Sequence, residues 1–425
     1  MVSAARLMWP APATVDIRAA GSGQASAQTE TPRPGPDAVG AGRRLEYLLV
    51  PSAANPKLVV PATPYAAAAA AASAATAATS TRAAARSAAL ALGLRCGVGG
   101  QVMRDRLEVQ VPDDGAAIDT HLGQVVGRDV LIGFRVGPAR ANRKPVLQLV
   151  TAGGTLIGYA KLGVNALTDA LVAAETTALT RLEKLHLPGV RIPALLDGST
   201  WQGHQLIVQA ALPVGRLGRP PGQARTAAAM VAVAGAEGLS RLPVADLPWW
   251  ARTTSALAAL PASDSASRVR EIADLLTARG DVVVSAGAWH GDWNPGNCAA
   301  GSDEVLLWDW ERYETGVPVG FDALHLSLQS TIGAGVDPLA AAGRLVADAP
   351  ALLAPFGVDA QARLVTTLYL FGLGVRYLRD DQAAAGAAVG RLETWLLPTL
   401  EQLCAAPATG STSQRGTSRL ADTER

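Results

Sequence analysis

The sequence predicts an α+β chain: a small antiparallel β lobe, then a larger helical lobe, with an extra α/β module ahead of both. Three observations lead there. Short strand-like runs joined by tight turns fill residues 130–162. Helix-periodic segments dominate from Pro220 onward. Between short apolar runs at 288–321 lies a loop rich in acidic and amide side chains.

The elements follow in order. Residues 1–42 are rich in Ala, Gly, Pro, Ser and Thr without a periodic pattern, and read as a disordered segment; the tail at 405–425 reads the same way. Residues 45–50 and 57–60 are strand-like runs around the turn-forming PSAANP. The alanine-rich stretch 66–92 is either a helix by propensity or a low-complexity linker. With a strand at 107–111 these make an additional module, residues 43–120, a possible cap.

The small lobe spans 121–212. Its strands are 130–136, 146–150 and 156–162, the last two joined by the tight turn Ala152-Gly153-Gly154. A helix follows at 167–185, with Leu171, Ala174, Ala178, Leu182 and Leu185 as its apolar stripe. Residues 206–209 form a later strand. The helical lobe, 213–404, carries helices at 224–237, 251–260, 265–278, 321–330, 337–347, 359–378 and 382–403.

Composition sets limits. Hydrophobic residues are 49% of 425 and charged ones 17%, enough for a large core. A net charge of +1 gives no electrostatic case for nucleic acid or an anionic membrane as partner. The alanine run is too weakly apolar to span a bilayer, and Arg82 and Arg86 interrupt it. The start lacks the continuous apolar run of a signal peptide. Cys96, Cys298 and Cys404 are too widely spaced for a metal site or a disulfide framework, which fits a cytoplasmic protein. Oligomeric state is not legible.

The chemistry sits at 288–321. Asp292 follows His290-Gly291, Asn297 comes five residues later, and Asp309 ends the apolar run 305–308. Phosphoryl transfer needs aligned oxygens and neutralised charge more than covalent help. Asp292 would orient the attacking hydroxyl and take its proton. Asn297 and Asp309 would offer Mg²⁺ the oxygen ligands it prefers. The alternative is a turn in which Asp292 and Asn297 cap their own backbone.

Lysines are only four, so Lys161 inside an apolar strand stands out. Glu175 on the next helix is placed to orient it toward phosphate oxygens, with Glu183 as a second choice. Otherwise Lys161 snorkels and Glu175 is solvated. His290 reads as a packed, loop-shaping residue ahead of a general base. Asp322 either caps the following helix or braces the loop. Trp310 packs or touches substrate, and Cys298 is a small buried residue. Arg140, Arg143 and Lys144 stand in the turn 136–145, where they either reach phosphates or form a solvated basic turn.

These residues resemble the aminoglycoside phosphotransferase and choline kinase-like family, which has the bilobal protein-kinase-like fold. HGDWNPGN matches that family's H-G-D-x-x-x-x-N loop, which implies Asp292 as catalytic residue and Asn297 as metal ligand. WDWE matches its metal-binding aspartate, here Asp309, and AKLG its nucleotide-binding lysine, here Lys161. Glu175 fits the helix partner, and Gln209 to Leu212 fall at the adenine-binding hinge. The resemblance covers about residues 125–400. It departs from the family at the glycine loop, where no G-x-G-x-x-G is found, and in the added module. It implies ATP and Mg²⁺ as cofactors and a small-molecule hydroxyl as acceptor. A catalytically silent nucleotide- or partner-binding protein is the alternative. A protein kinase would carry an activation segment and an A-P-E element after Asp309, and neither is found.

Overall fold

The computed structural model describes residues 2–19, 42–76, 81–97, 101–136, 142–214, 219–384 and 388–405. Helix α1 (Val2–Met8) leads into β1 (Thr14–Arg18). Strands β2 (Arg43–Val50) and β3 (Leu58–Pro61) precede the paired helices α2 (Pro64–Thr76) and α3 (Thr81–Arg95). Then come β4 (Arg106–Val111), α4 (Ile118–Val126), β5 (Leu131–Arg135), β6 (Val146–Val150) and β7 (Leu156–Leu162). Helix α5 (Ala166–Leu182) is followed by the short β8 (Val190–Arg191), then β9 (Leu195–Trp201) and β10 (His204–Ala210).

Nine strands form one antiparallel sheet in the order β1-β4-β2-β3-β5-β6-β7-β10-β9. The expected boundary at residue 120 therefore does not divide the sheet. β3 pairs directly with β5, Leu58 against Arg135 and Val59 against Phe134. Apolar runs such as 48–50 and 58–60 bury both faces, because α2 covers one side and the α1–α4 core the other.

The disordered reading of 1–42 is corrected for its first part. Met8 and Trp9 are fully buried in the core under the sheet, and Trp9 Nε1 donates to Asp119 Oδ1 at 3.1 Å. Two bulky apolar anchors outweigh a surrounding composition that is poor in them. Residues 20–41, and the tail from 406, lie outside the described residues.

The helical lobe contains α6 (Gln223–Ala234), β11 (Ser240–Pro243), α7 (Pro248–Ala258), α8 (Asp264–Thr277), β12 (Val283–Trp289), β13 (Cys298–Ala300), β14 (Val305–Leu307) and β15 (Glu314–Pro318). It closes with α9 (Phe321–Gly333), α10 (Pro338–Leu353), α11 (Ala362–Arg379) and α12 (Leu396–Ala405). The helix expected at 382–403 is shorter and later. Among the described residues a 3-10 turn at Leu392–Thr394 precedes α12. The stretch Pro338–Phe356 is long and apolar enough to cross a bilayer by length and composition. Its Ala341, Ala342, Leu345, Ala349 and Leu353 are buried in the helical core.

A third cluster joins the lobes and fixes the site between them. Val172, Leu179 and Ile207 of the small lobe pack with Trp293, Leu307 and Trp310 of the large one. On α5, Asn165 caps the start in a reciprocal pair with Thr168. The buried stripe of α5 holds Leu171, Ala178 and Leu182 as expected, but Ala174 is exposed and Glu175 is fully buried.

Candidate active site

The loop after β12 is held from below. Asp322, at the start of α9, accepts from the backbone N–H of His290 at 2.7 Å and of Gly291 at 3.0 Å. Of its two expected roles, this is the brace. Gly291 has φ +84, and a Cβ there would stand 2.2 Å from the Arg312 carbonyl oxygen, so glycine is required. The Arg376 guanidinium donates to the Gly291 carbonyl at 2.7 Å and lies over the Trp289 ring.

His290 is packed into the loop and shapes it, as expected. Its Nε2 meets the Trp308 carbonyl at 3.0 Å, and its Nδ1 accepts from the Asp292 N–H at 3.2 Å. That set needs the neutral ring. Burial supplies it, pushing the imidazole down to about 4 against the pull of Asp292 and Asp309.

Both carboxylate oxygens of Asp292 are fixed. Asn297 Nδ2 donates to Oδ2 at 2.9 Å, and His325 Nε2 meets Oδ1 at 3.2 Å. Burial alone would raise this carboxyl, but the His325 hydrogen bond wins and holds it below its ordinary range. The side chain is still 34% exposed. Asn297 Nδ2 also donates to the Asp292 carbonyl at 2.9 Å, which closes the Asp292–Asn297 loop. Among the described residues no protein donor reaches Asn297 Oδ1, which leaves an oxygen for a hard cation.

The β13–β14 hairpin delivers Asp309. Cys298 pairs with Leu307, and Trp308 N–H donates to the Asn297 carbonyl at 3.0 Å, so Asp309 follows at the same rim. Asp309 has φ +73, a left-handed conformation that Asp tolerates better than most residues.

Lys161 on β7 unites the set. Its Nζ donates to both oxygens of Glu175 at 2.7 Å and to Asp309 Oδ1 at 2.6 Å. Burial alone would lower the ammonium, but Asp309, Glu175 and Glu311 together raise it well above its ordinary value. Reciprocally, Lys161 and Lys144 overcome burial and hold Asp309 far down. The carboxylates of Glu175, Asp309 and Glu311 have ligand oxygens within 4.8 Å of one another. Glu183 is exposed, and the partner of Lys161 is Glu175.

The basic turn behaves differently from the phosphate-contact expectation. Lys144 is buried against Glu311 in an ion pair, so its charge is already used. Arg143 is exposed and outside the cleft lining, and Arg140 lies outside the described residues. Gln209 and Leu212 do line the cleft, a space of about 640 Å³ that also includes Lys161, Tyr159 and Trp308. Trp310 is fully buried against His290, 4.6 Å between ring centres, and Cys298 is buried; both are packing residues.

Sequence reasoning missed His325 and Tyr369, whose hydroxyl meets His325 Nδ1 at 3.0 Å. A signal existed. His325 stands three residues after Asp322 on α9, so both face the loop. It also missed Glu311 as the Lys144 partner.

No family model matches the chain, and no curated protein matches it. Solved structures are similar at low identity. A thermostable mutant of aminoglycoside phosphotransferase APH(4)-Ia is 12% identical over 67% of this chain and 98% of its own, with a TM-score of 0.45. A choline/ethanolamine kinase family protein from Mesorhizobium loti is 14% identical over 64% of this chain and 89% of its own, with a TM-score of 0.40. A fructosamine-3-kinase homologue from Haemophilus somnus 129PT is 13% identical over 68% and 95%, with a TM-score of 0.37. Likeness of this degree assigns no activity; the geometry above stands on this chain's own residues.

Proposed function

We propose that this chain is a small-molecule kinase, moving the γ-phosphoryl group of ATP to a hydroxyl of a small molecule. One observation carries the reading: buried Lys161 and Glu175 form one ionic cluster with the half-buried Asp309, beside an Asp292 whose two oxygens are fixed by Asn297 and His325. A structural role alone does not require an aspartate held in that way yet left partly exposed.

Asp292 accepts the hydrogen bond of the acceptor hydroxyl and takes its proton as the new P–O bond to the γ-phosphorus forms, while the bond from that phosphorus to the β–γ bridging oxygen breaks and ADP leaves with the electron pair. Lys161, released from Asp309, reaches the phosphates while Glu175 keeps it oriented. Asn297 Oδ1 and Asp309 would hold Mg²⁺, with Glu175 and Glu311 close behind; oxygen-only donors suit that ion. When bound, the ion supplies positive charge at the β- and γ-phosphate oxygens. After Asp309 the chain passes from Glu311 directly into β15, which leaves no segment there to hold a polypeptide acceptor.

The test is calorimetric binding of ATP with and without Mg²⁺, followed by ADP release against a panel of hydroxyl compounds. The parent should bind Mg²⁺-ATP and release ADP with at least one acceptor class. Asp309→Ala should weaken the metal-dependent part of binding by about tenfold or more. A parent that binds no ATP overturns the reading. A parent that binds ATP without turnover supports the silent alternative.

A further inference from the structure

We infer that the nucleotide's base is held against the α2–α3 helix pair, so that residues ahead of β5 build one wall of the nucleotide site. The inference rests on the phosphotransfer reading and adds to it the part of the chain that recognises the base.

The sheet face that carries Lys161 also carries a row in register across four strands: Gly133, Gln148, Tyr159 and Gln209. Helix α2 covers the neighbouring part of this face, its Ala67, Ala70 and Ala71 packing on Leu48, Val50 and Val60. It comes close because two glycines let it. A Cβ on Gly133 would stand 2.9 Å from Ala70 Cβ, and one on Gly154 would stand 2.8 Å from the Tyr65 carbonyl oxygen. Ser73 Oγ then accepts from Gln148 Nε2 at 2.7 Å. Helix α3 presents Ala88, Ala91, Leu92 and Arg95 to the same cleft, the spacing of one helical face. Leu92 is 65% exposed, so among the described residues that face has no cover.

Two buried polar groups point to a ligand. Gln148 is 2% exposed and Gln209 3%, and both line the cleft. Among the described residues Gln148 Oε1 and Gln209 Nε2 have no partner. The Gln148 orientation is fixed, because Ser73 Oγ donates to the Ala70 carbonyl and so must accept from Nε2. One acceptor and one donor are therefore left to be satisfied on either side of Tyr159. Walls of alanine, an aromatic side chain and unpaired amide groups of both polarities suit a planar heteroaromatic base. Lys161 lines the cleft and Asp292 does not, so this space belongs to the nucleotide and not to the acceptor hydroxyl. Arg95 and Arg135 add positive charge to the lining.

The experiment compares binding of ATP and of inorganic tripolyphosphate, both with Mg²⁺, to the full chain and three variants. Ala88→Phe puts a ring into the cleft from an exposed position. Ala89→Phe puts the same ring on the next exposed position of α3, outside the cleft lining. Ala88→Phe should weaken ATP by about tenfold or more and leave tripolyphosphate within about twofold. Ala89→Phe should change neither. Leu92→Ser strips apolar contact from the cleft face of α3 at an exposed position; it should weaken ATP alone, and it decides the matter if Ala88→Phe melts early. If the parent binds ATP and both Ala88→Phe and Leu92→Ser bind it equally well, this inference is wrong while the phosphotransfer reading stands. A parent that binds tripolyphosphate as tightly as ATP also overturns it. A parent that binds no ATP overturns the phosphotransfer reading itself.

Discussion

Replacing His325 by leucine isolates the contribution of one hydrogen bond to the placement of Asp292. The ring is buried, with Nε2 3.2 Å from Asp292 Oδ1 and Nδ1 3.0 Å from the Tyr369 hydroxyl. Burial lowers the imidazole below its ordinary value despite the nearby Asp292, so it is neutral at neutral pH. Tyr369 then donates to Nδ1, and Nε2–H donates to Asp292. A hydrogen bond to a charged carboxylate is worth about 1.5–3 kcal/mol. If that energy is expressed wholly in the reacting geometry, kcat falls about 10- to 150-fold. The assay is ADP release with the best acceptor from the panel, beside ATP affinity and melting temperature. His325→Leu should lose kcat within that range and keep ATP affinity within about threefold. His325→Gln, which can still donate from Nε2, should recover most of the loss. Parental kcat in the leucine variant would refute the reasoning. So would an equal loss in both variants, or a loss that tracks ATP affinity.

Two further outcomes follow from the same geometry. Lys144→Met strands the buried Glu311 without its cation, which should cost about 3–5 kcal/mol in urea unfolding, and adding Glu311→Leu should restore most of it; equal stability of single and double variants contradicts this. Burial pushes the Asp322 carboxyl from 3.8 up to about 7, although the N–H groups of His290 and Gly291 pull it down. The folded chain then keeps a proton between those values that the unfolded chain releases, so this group makes stability fall as pH rises through that window. Asp322→Asn should flatten the fall when unfolding midpoints are compared from about pH 4 to 8; an unchanged slope speaks against it.

The Asp292–Asn297 loop was legible because its geometry is local. Asp292, Asn297 and Asp309 lie on one loop and one hairpin, and Lys161 and Glu175 on a strand and the next helix, so spacing relates the members within each group, while only the resemblance to a known constellation joined the two groups. His325 and Tyr369 were not legible as a pair. They come from two helices far apart in the chain, and only packing brings them under Asp292. Lys144 was misread because a basic turn looks solvated until a buried glutamate from the other lobe meets it. The width of the sheet was hidden for a related reason. Runs such as Leu48-Leu49-Val50 announce a strand buried on both faces but do not say which strand lies beside it. At the start of the chain, composition averaged away Met8 and Trp9, whose burial seats α1 in the core. The left-handed backbone of Asp309 has no sequence signature, since only the hairpin before it imposes that turn.

The central claim is that Asp292 does chemistry and does not hold the nucleotide. Single-turnover phosphoryl transfer from labelled ATP by Asp292→Ala, run beside ATP binding, measures this directly. The account predicts transfer slowed by about 10²- to 10⁴-fold with ATP affinity within about threefold of the parent. Transfer at the parental rate, or ATP affinity lost in step with transfer, would contradict it.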